Sequence, residues 1–319
     1  MQACRQEVLL TPTCFVKYQG LGNDFILVDN RAKEDLIFTP DASAKICNRN
    51  FGIGADGIIF VCRAKNGCQY TMRIHNSDGS EPQMCGNGIR CMASYIFHEL
   101  NGGLDPEGTE YRIWTNAGVI IPKIMDNGFI QVEMGSPILH AARVPTLMPT
   151  AAVGVDTGDF NAIRNAVVNA PLQVYLSETG DCSACIVHVT AVSMGNPHAV
   201  IFCEDLHAMN PAFEVLGPKI EKHALFPERT NVEFVQCLSD RHLKMRVWER
   251  GSGATLACGT GACAAVVAAI LLKRCSFNTQ ITVSLPGGDL TIIWEKSRDV
   301  LLMTGPAIAV FSGVIRLQD

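Results

Sequence analysis

The stretch MRIHNSDGSEPQMCGNGIRC, residues Met72–Cys91, places Cys85 directly before a Gly-Asn-Gly turn. The stretch MRVWERGSGATLACGTGAC, residues Met245–Cys263, repeats this arrangement, with Cys258 before Gly-Thr-Gly. The two cysteines are 173 positions apart, and further landmarks share this separation without a gap. These landmarks are the Met-Arg pairs at 72 and 245, Gly22-Asn23 and Gly195-Asn196, Gly86 and Gly259, Gly88 and Gly261, and Asn76 and Glu249. A repeat of this length predicts two homologous halves.

Each half has the same predicted order: a Gly-Asn turn, an apolar strand, a helical stretch, another strand, a Gly/Ser loop and the Cys-Gly-x-Gly helix. The second of these helices is apolar nearly all round, which predicts burial on most sides, and hairpin turns are expected at 126–128 and near 287–288. The first has a one-sided apolar stripe formed by Ile89, Met92, Ala93, Ile96, Phe97 and Leu100. We therefore expect an α/β fold of two pseudo-symmetric domains, each a curved, mostly antiparallel sheet wrapped around a central helix.

Composition narrows the class of protein. The chain has 319 residues, 48% of them apolar, which suits two cores better than one. Its net charge is −5 and it has no Lys/Arg block, so no nucleic-acid partner is expected. No apolar run reaches the roughly 18 residues of a membrane span, so no membrane partner is expected either. The first twelve residues fit neither a signal peptide nor a transit peptide, and the run 144–159 is typical of a surface loop.

Fourteen cysteines are many for a chain of this size. A disulfide framework is not expected, because the chain is long and has no secretory signal. Cys182 and Cys185 form a lone C-x-x-C, and without a second pair or spaced histidines it does not predict a zinc site. We expect no metal.

The two Cys-Gly-x-Gly sites suit proton transfer at carbon. A cysteine at a helix N-terminus lies near unpaired backbone N–H groups, which lower the pKa of a thiol and can hold a carboxylate. If the halves meet at a shared cleft, one thiolate can remove a proton from one face of a carbon atom while the other thiol protonates the opposite face. The result is inversion of configuration without a cofactor.

Amide side chains surround both motifs, and as a set they suit a zwitterionic amino acid. The set is Asn23, Asn76, Asn87, Asn196 and Asn231. Arg250 could hold a carboxylate in a bidentate manner, and Glu249 and His198 could assist the second thiol or bind an ammonium group. Taken singly, each asparagine is also an ordinary turn former, and His198 an ordinary strand-edge histidine.

At these residues the sequence resembles the diaminopimelate epimerase family. The match runs through YQGLGNDFILVDN, FGIGADG, HNSDGSEPQMCGNGIRC, VSMGNPHAV, FPERTNVEF, WERGSGATLACGTGACAA, LPGGDLTI and MTGPA. The resemblance implies a cofactor-independent epimerase that interconverts LL- and meso-diaminopimelate in lysine biosynthesis. It also implies a homodimer, and two domains formed by residues 1–132 plus 305–319 and by residues 133–304.

The resemblance marks Cys85 and Cys258 as the acid–base thiols, with His198 and Glu249 assisting. It marks as substrate contacts Asn23, Asn76, Gly86, Asn87, Asn196, Asn231, Glu249, Arg250, Gly259 and Thr260. One departure is Gly57, where bacterial members have a glutamine. FGIGADG and MRVWERG are more similar to plant and algal members, so the expected compartment is the cytoplasm or the plastid stroma.

Two alternatives stay open from the sequence. A proline or hydroxyproline racemase-type enzyme also uses two opposed cysteines. A thiol redox or anion-binding module could use the same helix termini, although it leaves the paired asparagines unexplained.

Overall fold

The computed structural model describes residues 12–150, 165–176 and 184–316. Three features discussed above lie outside these ranges: the N-terminal residues 1–11, Cys182, and positions 151–159 of the expected surface loop. The chain forms two compact units.

The first unit comprises residues 12–20, 24–126 and 307–316. Its strands are β1 (Thr13–Gly20), β2 (Asn23–Asp29), β3 (Gly57–Cys62), β4 (Tyr70–Asn76), β5 (Ile113–Thr115), β6 (Gly118–Ile120), β7 (Lys123–Ile124) and β18 (Ile308–Ile315). They form a sheet in the order β18-β1-β2-β3-β4-β5-β6, with parallel pairs at β2–β3 and β4–β5. Helix α1 (Pro40–Cys47) packs on β3 and β4, and helix α2 (Gly86–Tyr95) on β1, β3 and β18.

Helix α2 corrects one expectation. Every residue from Asn87 to Tyr95 is buried, so the helix is enclosed on all sides rather than along one stripe. The stripe becomes one-sided only in the π-helical turn Ile96–Leu100, where Ile96 is buried and the other apolar residues are partly exposed. The cause is Arg90, which is fully buried although a charged residue normally indicates a solvent-facing position.

The second unit comprises residues 21–23 and the described part of 127–306. Its strands are β8 (Ile130–Glu133), β9 (Ala170–Tyr175), β10 (Ala184–Ser193), β11 (Pro197–Cys203), β12 (Asn231–Ser239), β13 (His242–Glu249), β14 (Gly253–Thr255), β15 (Ile281–Leu285), β16 (Gly288–Glu295) and β17 (Val300–Gly305). The sheet order is β8-β17-β16-β15-β13-β12-β11-β10-β9, and β14 pairs with β13. Helix α3 (Asn210–Glu221) packs on β9, β12 and β13.

Helix α4 (Gly259–Leu271) is the centre of this unit. It contacts strands β10 to β13 and β15 to β17, so the sheet curves around it. All its residues except Thr260 are buried, as the sequence predicts. Small alanines let the strands approach this closely, and the apolar area removed from water stabilises the unit at about 25 cal/mol per Å².

The two sheets share one topology. The order β1-β2-β3-β4-β5-β6 corresponds to β10-β11-β12-β13-β15-β16, and both have parallel pairs at the second and fourth junctions. The register also corresponds, since Phe25 is opposite Gly57 and His198, 173 residues after Phe25, is opposite Asn231. The predicted fold class is therefore confirmed, including the hairpin of β15 and β16.

The expected surface loop at 144–159 is wrong in its described part. Val144, Thr146 and Met148 are buried, and Val144 and Met148 belong to the apolar cluster under helix α3. The polar composition of the run hid this alternation of buried residues. No helix among the described residues is long and apolar enough to cross a membrane.

Candidate active site

Cys85 caps the N-terminus of helix α2. Its backbone is extended, with φ −136° and ψ 119°, and its sulfur accepts a hydrogen bond from the Gly88 N–H at 3.4 Å. Its carbonyl accepts the first bond within the helix, from the Ile89 N–H at 2.8 Å. The amides of Gly86 and Asn87 therefore precede the helical ladder and have no acceptor within the helix.

Cys258 caps helix α4 with the same geometry. Its φ is −130° and its ψ 111°, and its sulfur accepts from the Gly261 N–H at 3.4 Å. Cysteine is not among the residues preferred at this position, which are Ser, Thr, Asp and Asn. A sulfur in the same cap of two related helices indicates a chemical role, because a hydroxyl would serve the helix better.

Around Cys85 the buried charge is positive. The guanidinium of Arg90 donates to the Gly86 carbonyl at 3.3 Å and to Asn87 Oδ1 at 3.0 Å. Asn87, predicted as a substrate contact through its backbone, thus has its side-chain oxygen directed at Arg90. Sequence reasoning missed Arg90, and its only signal was a charged residue inside an apolar helix.

Asn76 lies at the end of strand β4, where the loop to Cys85 begins. Its Nδ2 donates to Ser80 Oγ at 2.9 Å, and its backbone N–H donates to the Ser80 carbonyl at 2.8 Å. Arg73 and Glu81 form an ion pair across the same loop. The loop is therefore folded on itself with Asn76 at its base.

Asn23 begins strand β2, and the residue after it is held by a charge network. Asp24 bonds Lys17 Nζ at 2.8 Å and Arg49 Nη2 at 2.7 Å, while Arg49 also bonds Asp56 at 2.8 Å. Although burial raises it, the hydrogen bonds and charges of Arg49 and Lys17 lower the pKa of Asp24 to about 2. This network fixes Asp24, and with it the start of strand β2 that Asn23 opens, against the turn that precedes Gly57.

Gly57 opens strand β3, where bacterial members of the resembled family have a glutamine. A Cβ at this position would lie 2.6 Å from the His75 carbonyl oxygen. A side chain therefore requires β4 to move away, so the departure at Gly57 accompanies a closer approach of two backbones.

His198 lies in β11, between β10 and β12, and is not at a strand edge. It is fully buried, with Nδ1 2.7 Å from Glu233 Oε1 and Nε2 3.1 Å from Asn196 Oδ1. Glu233 is also fully buried, and its Oε2 has no hydrogen-bond partner among the described residues. Sequence reasoning missed Glu233, a lone carboxylate inside the apolar run NVEFV.

Thr260 joins this pair to the thiol. Its Oγ1 accepts from Asn196 Nδ2 at 3.3 Å and is 3.4 Å from the Cys258 sulfur. Burial raises the pKa of the Cys258 thiol well above its ordinary value, and the carboxylates of Glu249 and Glu233 raise it further. The Thr260 hydroxyl and the Gly261 N–H oppose this and lower the pKa.

Asn231 and Arg250 are in direct contact. Asn231 Oδ1 accepts from the Arg250 backbone N–H at 2.9 Å, and its Nδ2 donates to the Pro197 carbonyl at 2.9 Å. The exposed guanidinium of Arg250 donates to the Glu228 carbonyl at 3.1 Å. The amide of Asn231 thereby ties together three segments that carry predicted site residues.

Glu249 and the turn after it are held by two further contacts. Thr255 Oγ1 donates to Glu249 Oε1 at 2.5 Å. Glu221, at the end of α3, accepts from Gly251 N–H at 2.8 Å and from Trp248 Nε1 at 3.1 Å, and it pairs with Arg229. Glu221 is a second buried carboxylate that sequence reasoning missed.

In the second unit, then, the structure brings most of the predicted site residues into one connected set. Asn196, His198, Thr260 and Cys258 follow one another by hydrogen bonds, and Asn231 bonds Arg250. In the first unit Cys85, Gly86 and Asn87 share the helix terminus, and Asn76 stands at the base of the preceding loop. The roles of these residues stay predictions.

Comparison with known proteins gives consistent results. A family model described as diaminopimelate epimerase matches residues 15–140 and 190–310. The chain is 51% identical to a protein named "Diaminopimelate epimerase, chloroplastic" from Oryza sativa subsp. japonica, over 94% of this chain and 79% of the rice protein. It is 50% identical to "Diaminopimelate epimerase 1" from Nostoc sp., over 94% of this chain and 98% of that protein.

Solved structures share the fold at low identity. A probable proline racemase from Agrobacterium radiobacter has a TM-score of 0.63 at 11% identity, covering 96% of this chain and 93% of that one. A phenazine biosynthesis protein of the PhzF family from Bacillus anthracis has a TM-score of 0.60 at 15% identity, covering 96% and 99%. These likenesses concern the fold, whereas the sequence matches above extend through both cysteine motifs, and the chain belongs to the diaminopimelate epimerase family.

Proposed function

We propose that this chain is a cofactor-independent isomerase that interconverts LL- and meso-diaminopimelate in lysine biosynthesis. The observation that carries the proposal is the pair of cysteine caps. Cys85 and Cys258 stand at equivalent helix N-termini with nearly equal backbone angles and the same sulfur-to-amide bond. Membership of the diaminopimelate epimerase family supports the substrate.

In the proposed reaction one thiolate removes the proton from the α-carbon of the substrate. The other thiol donates its proton to the opposite face of that carbon, so the configuration inverts and the first sulfur ends protonated. The substrate carboxylate gains negative charge as the proton leaves. The first-turn amides, Gly86 and Asn87 in one unit and Gly259 and Thr260 in the other, stabilise that charge.

The starting state of each thiol follows from its surroundings. Because burial and two carboxylates raise the pKa of Cys258, this residue rests as a neutral thiol and is ready to donate. In the opposite direction Cys258 must act as the base, and there the Thr260 hydroxyl and the Gly261 N–H stabilise its thiolate.

Selection of the substrate is assigned to the polar groups that proton transfer does not use. Asn76, Asn196, Asn231 and Arg250 suit a distal ammonium and carboxylate on the substrate. An apolar side chain would leave such groups unpaired, at about 1–3 kcal/mol each. Lysine, which lacks the distal carboxylate, and proline should therefore be very poor substrates.

Incubation of LL-diaminopimelate with the enzyme in deuterated water tests the proposal. We expect meso product with one deuterium at the inverted centre, and no exchange with L-lysine or L-proline under the same conditions. Comparable kcat/KM for proline would favour the racemase alternative, and comparable kcat/KM for lysine would show that the extra polar groups are structural.

Assembly, compartment and domain limits complete the proposal. We infer a homodimer, which light scattering of the purified chain tests, and a plastid location, which a fluorescent fusion of the full-length protein tests. The chloroplastic rice relative supports the plastid over the cytoplasm. We also propose that the functional domains are residues 1–132 plus 305–319 and residues 133–304, and limited proteolysis near 132 and 304 tests these limits.

A further inference from the structure

Five side chains of the second unit form a continuous hydrogen-bonded chain. It runs from Glu233 Oε1 to His198, at 2.7 Å, then to Asn196, at 3.1 Å, to Thr260, at 3.3 Å, and to the Cys258 sulfur, at 3.4 Å. The chain starts at two fully buried ionisable groups and ends at a predicted acid–base thiol. Such a chain has a direction, because each donor hydrogen determines which atom the next group must offer.

Burial of Glu233 determines the direction. If His198 were neutral with its hydrogen on Nδ1, Glu233 would be an isolated buried anion with one oxygen lacking a partner among the described residues. An isolated buried charge is costly. A proton shared between Glu233 and Nδ1 removes that charge, and it leaves the second ring hydrogen on Nε2 wherever the shared proton lies.

The remaining steps follow from donor and acceptor roles. Nε2–H of His198 donates to Asn196 Oδ1, which directs the Asn196 amide hydrogens at Thr260 Oγ1. One lone pair of Oγ1 is then used, and its single hydrogen can point to the Cys258 sulfur. The opposite orientation of Asn196 would draw the Thr260 hydrogen away from the sulfur.

We propose that Glu233, His198 and Asn196 are positioning residues that fix the Thr260 hydroxyl as a hydrogen-bond donor to the Cys258 thiolate. The chain compensates for the cost of forming an anion at a buried sulfur flanked by Glu249 of β13 and Glu233 of β12, with His198 of β11 as the counter-group. Gly261 is part of this arrangement, because a Cβ there would lie 2.7 Å from Glu233 Oε1. The inference rests on the proposed function only in calling Cys258 catalytic.

The experiment measures how fast iodoacetamide labels Cys258 in the full-length free enzyme as pH changes, with mass spectrometry of the Cys258 peptide. Thr260→Val keeps the shape and removes the hydroxyl. Since a hydrogen bond to a charged group is lost, we expect the apparent pKa of Cys258 to rise by about one unit. Thr260→Ser should restore the original value. Thr190→Val removes a buried hydroxyl of β10 that accepts from the Asn169 N–H, and it should leave the value unchanged.

Asn196→Asp supplies the decisive background. An ionised aspartate accepts from both His198 and Thr260, so it turns the hydroxyl hydrogen away from the sulfur. Thr260→Val should then produce no further shift, because the donor is already lost. An equal shift in both backgrounds, or no shift in either, would overturn the directed chain.

Turnover separates this inference from the proposed function. A variant set that shows the expected coupling in an enzyme without epimerase activity would refute the function and keep the chain. Full activity without the coupling would refute the chain and keep the function.

Discussion

The mouths of helices α2 and α4 share a backbone and differ in charge. Both begin at a cysteine whose sulfur accepts from the amide three residues later, at 3.4 Å in each case. Beside Cys85 the buried group is the guanidinium of Arg90, whereas beside Cys258 the carboxylates of Glu249 and Glu233 raise the pKa of the thiol. The duplicated backbone thus supplies equal geometry, and the side chains around it make the two thiols unequal.

The strands that lead to these helices show the same contrast. At the start of β2, Asp24 is held by Lys17 and Arg49, while the position 173 residues later is Pro197, held through its carbonyl by Asn231. One half secures its turn with charges and the other with an amide. A two-step proton transfer needs one base and one acid at a time, and unequal surroundings suit that need.

Removal of either thiol is expected to have the largest effect. Cys85→Ala and Cys258→Ala should each lower kcat by roughly 10²–10⁴-fold or more, because each removes a general acid–base group. Steady-state assays in both directions measure this, with Cys91→Ala as a control for a buried cysteine of helix α2 outside the cap. If either cap variant keeps wild-type turnover, the two-thiol reaction is refuted.

Removal of the buried carboxylate should be the largest change in stability. Glu233→Ala leaves His198 without its partner, and we expect a loss of about 3–5 kcal/mol. Glu233→Gln, which keeps a hydrogen bond, should lose less. Register places Ile59 of β3 at the equivalent position of the first unit. There Ile59→Val should lose only about 1 kcal/mol in urea unfolding. Equal losses at the two positions would show that the pair contributes no more than packing.

Acidification should weaken the charge network of the first unit. The pKa of Asp24 is lowered to about 2, against about 3.9 in an unfolded chain. Its contribution, about 1–2 kcal/mol, is therefore complete above pH ~4 and is lost as pH falls toward 2. The stability difference between wild type and Asp24→Asn should shrink from pH 6 to pH 3. A difference that stays constant over this range would contradict the assignment.

The smallest expected effect is a difference in labelling. At pH 7 iodoacetamide should modify Cys85 several-fold faster than Cys258, because Cys85 is partly exposed while Cys258 is 7% exposed and has a raised pKa. Peptide-resolved mass spectrometry on brief labelling gives the order. Faster labelling of Cys258 would reverse the proposed resting states of the two thiols.

The sequence predicted the duplicated fold and both caps because a spacing of 173 residues and a Cys-Gly-x-Gly turn are local patterns. It did not reveal Arg90, Glu233 or Glu221. A charged residue in an apolar helix or strand has no local feature that distinguishes burial from exposure, and its partners are far away in the chain. The same reason explains why the stripe of α2 looked one-sided and why Val144 and Met148 looked like loop residues.

The sulfur caps also make two backbone amides into indicators. A thiolate is a stronger acceptor than a thiol, so the N–H groups of Gly88 and Gly261 experience each change in protonation of the sulfur they contact. Their amide resonances should therefore move with pH and with the direction of turnover, one for each half. The molecule thus holds, in two glycines without side chains, a record of which cysteine carries the proton.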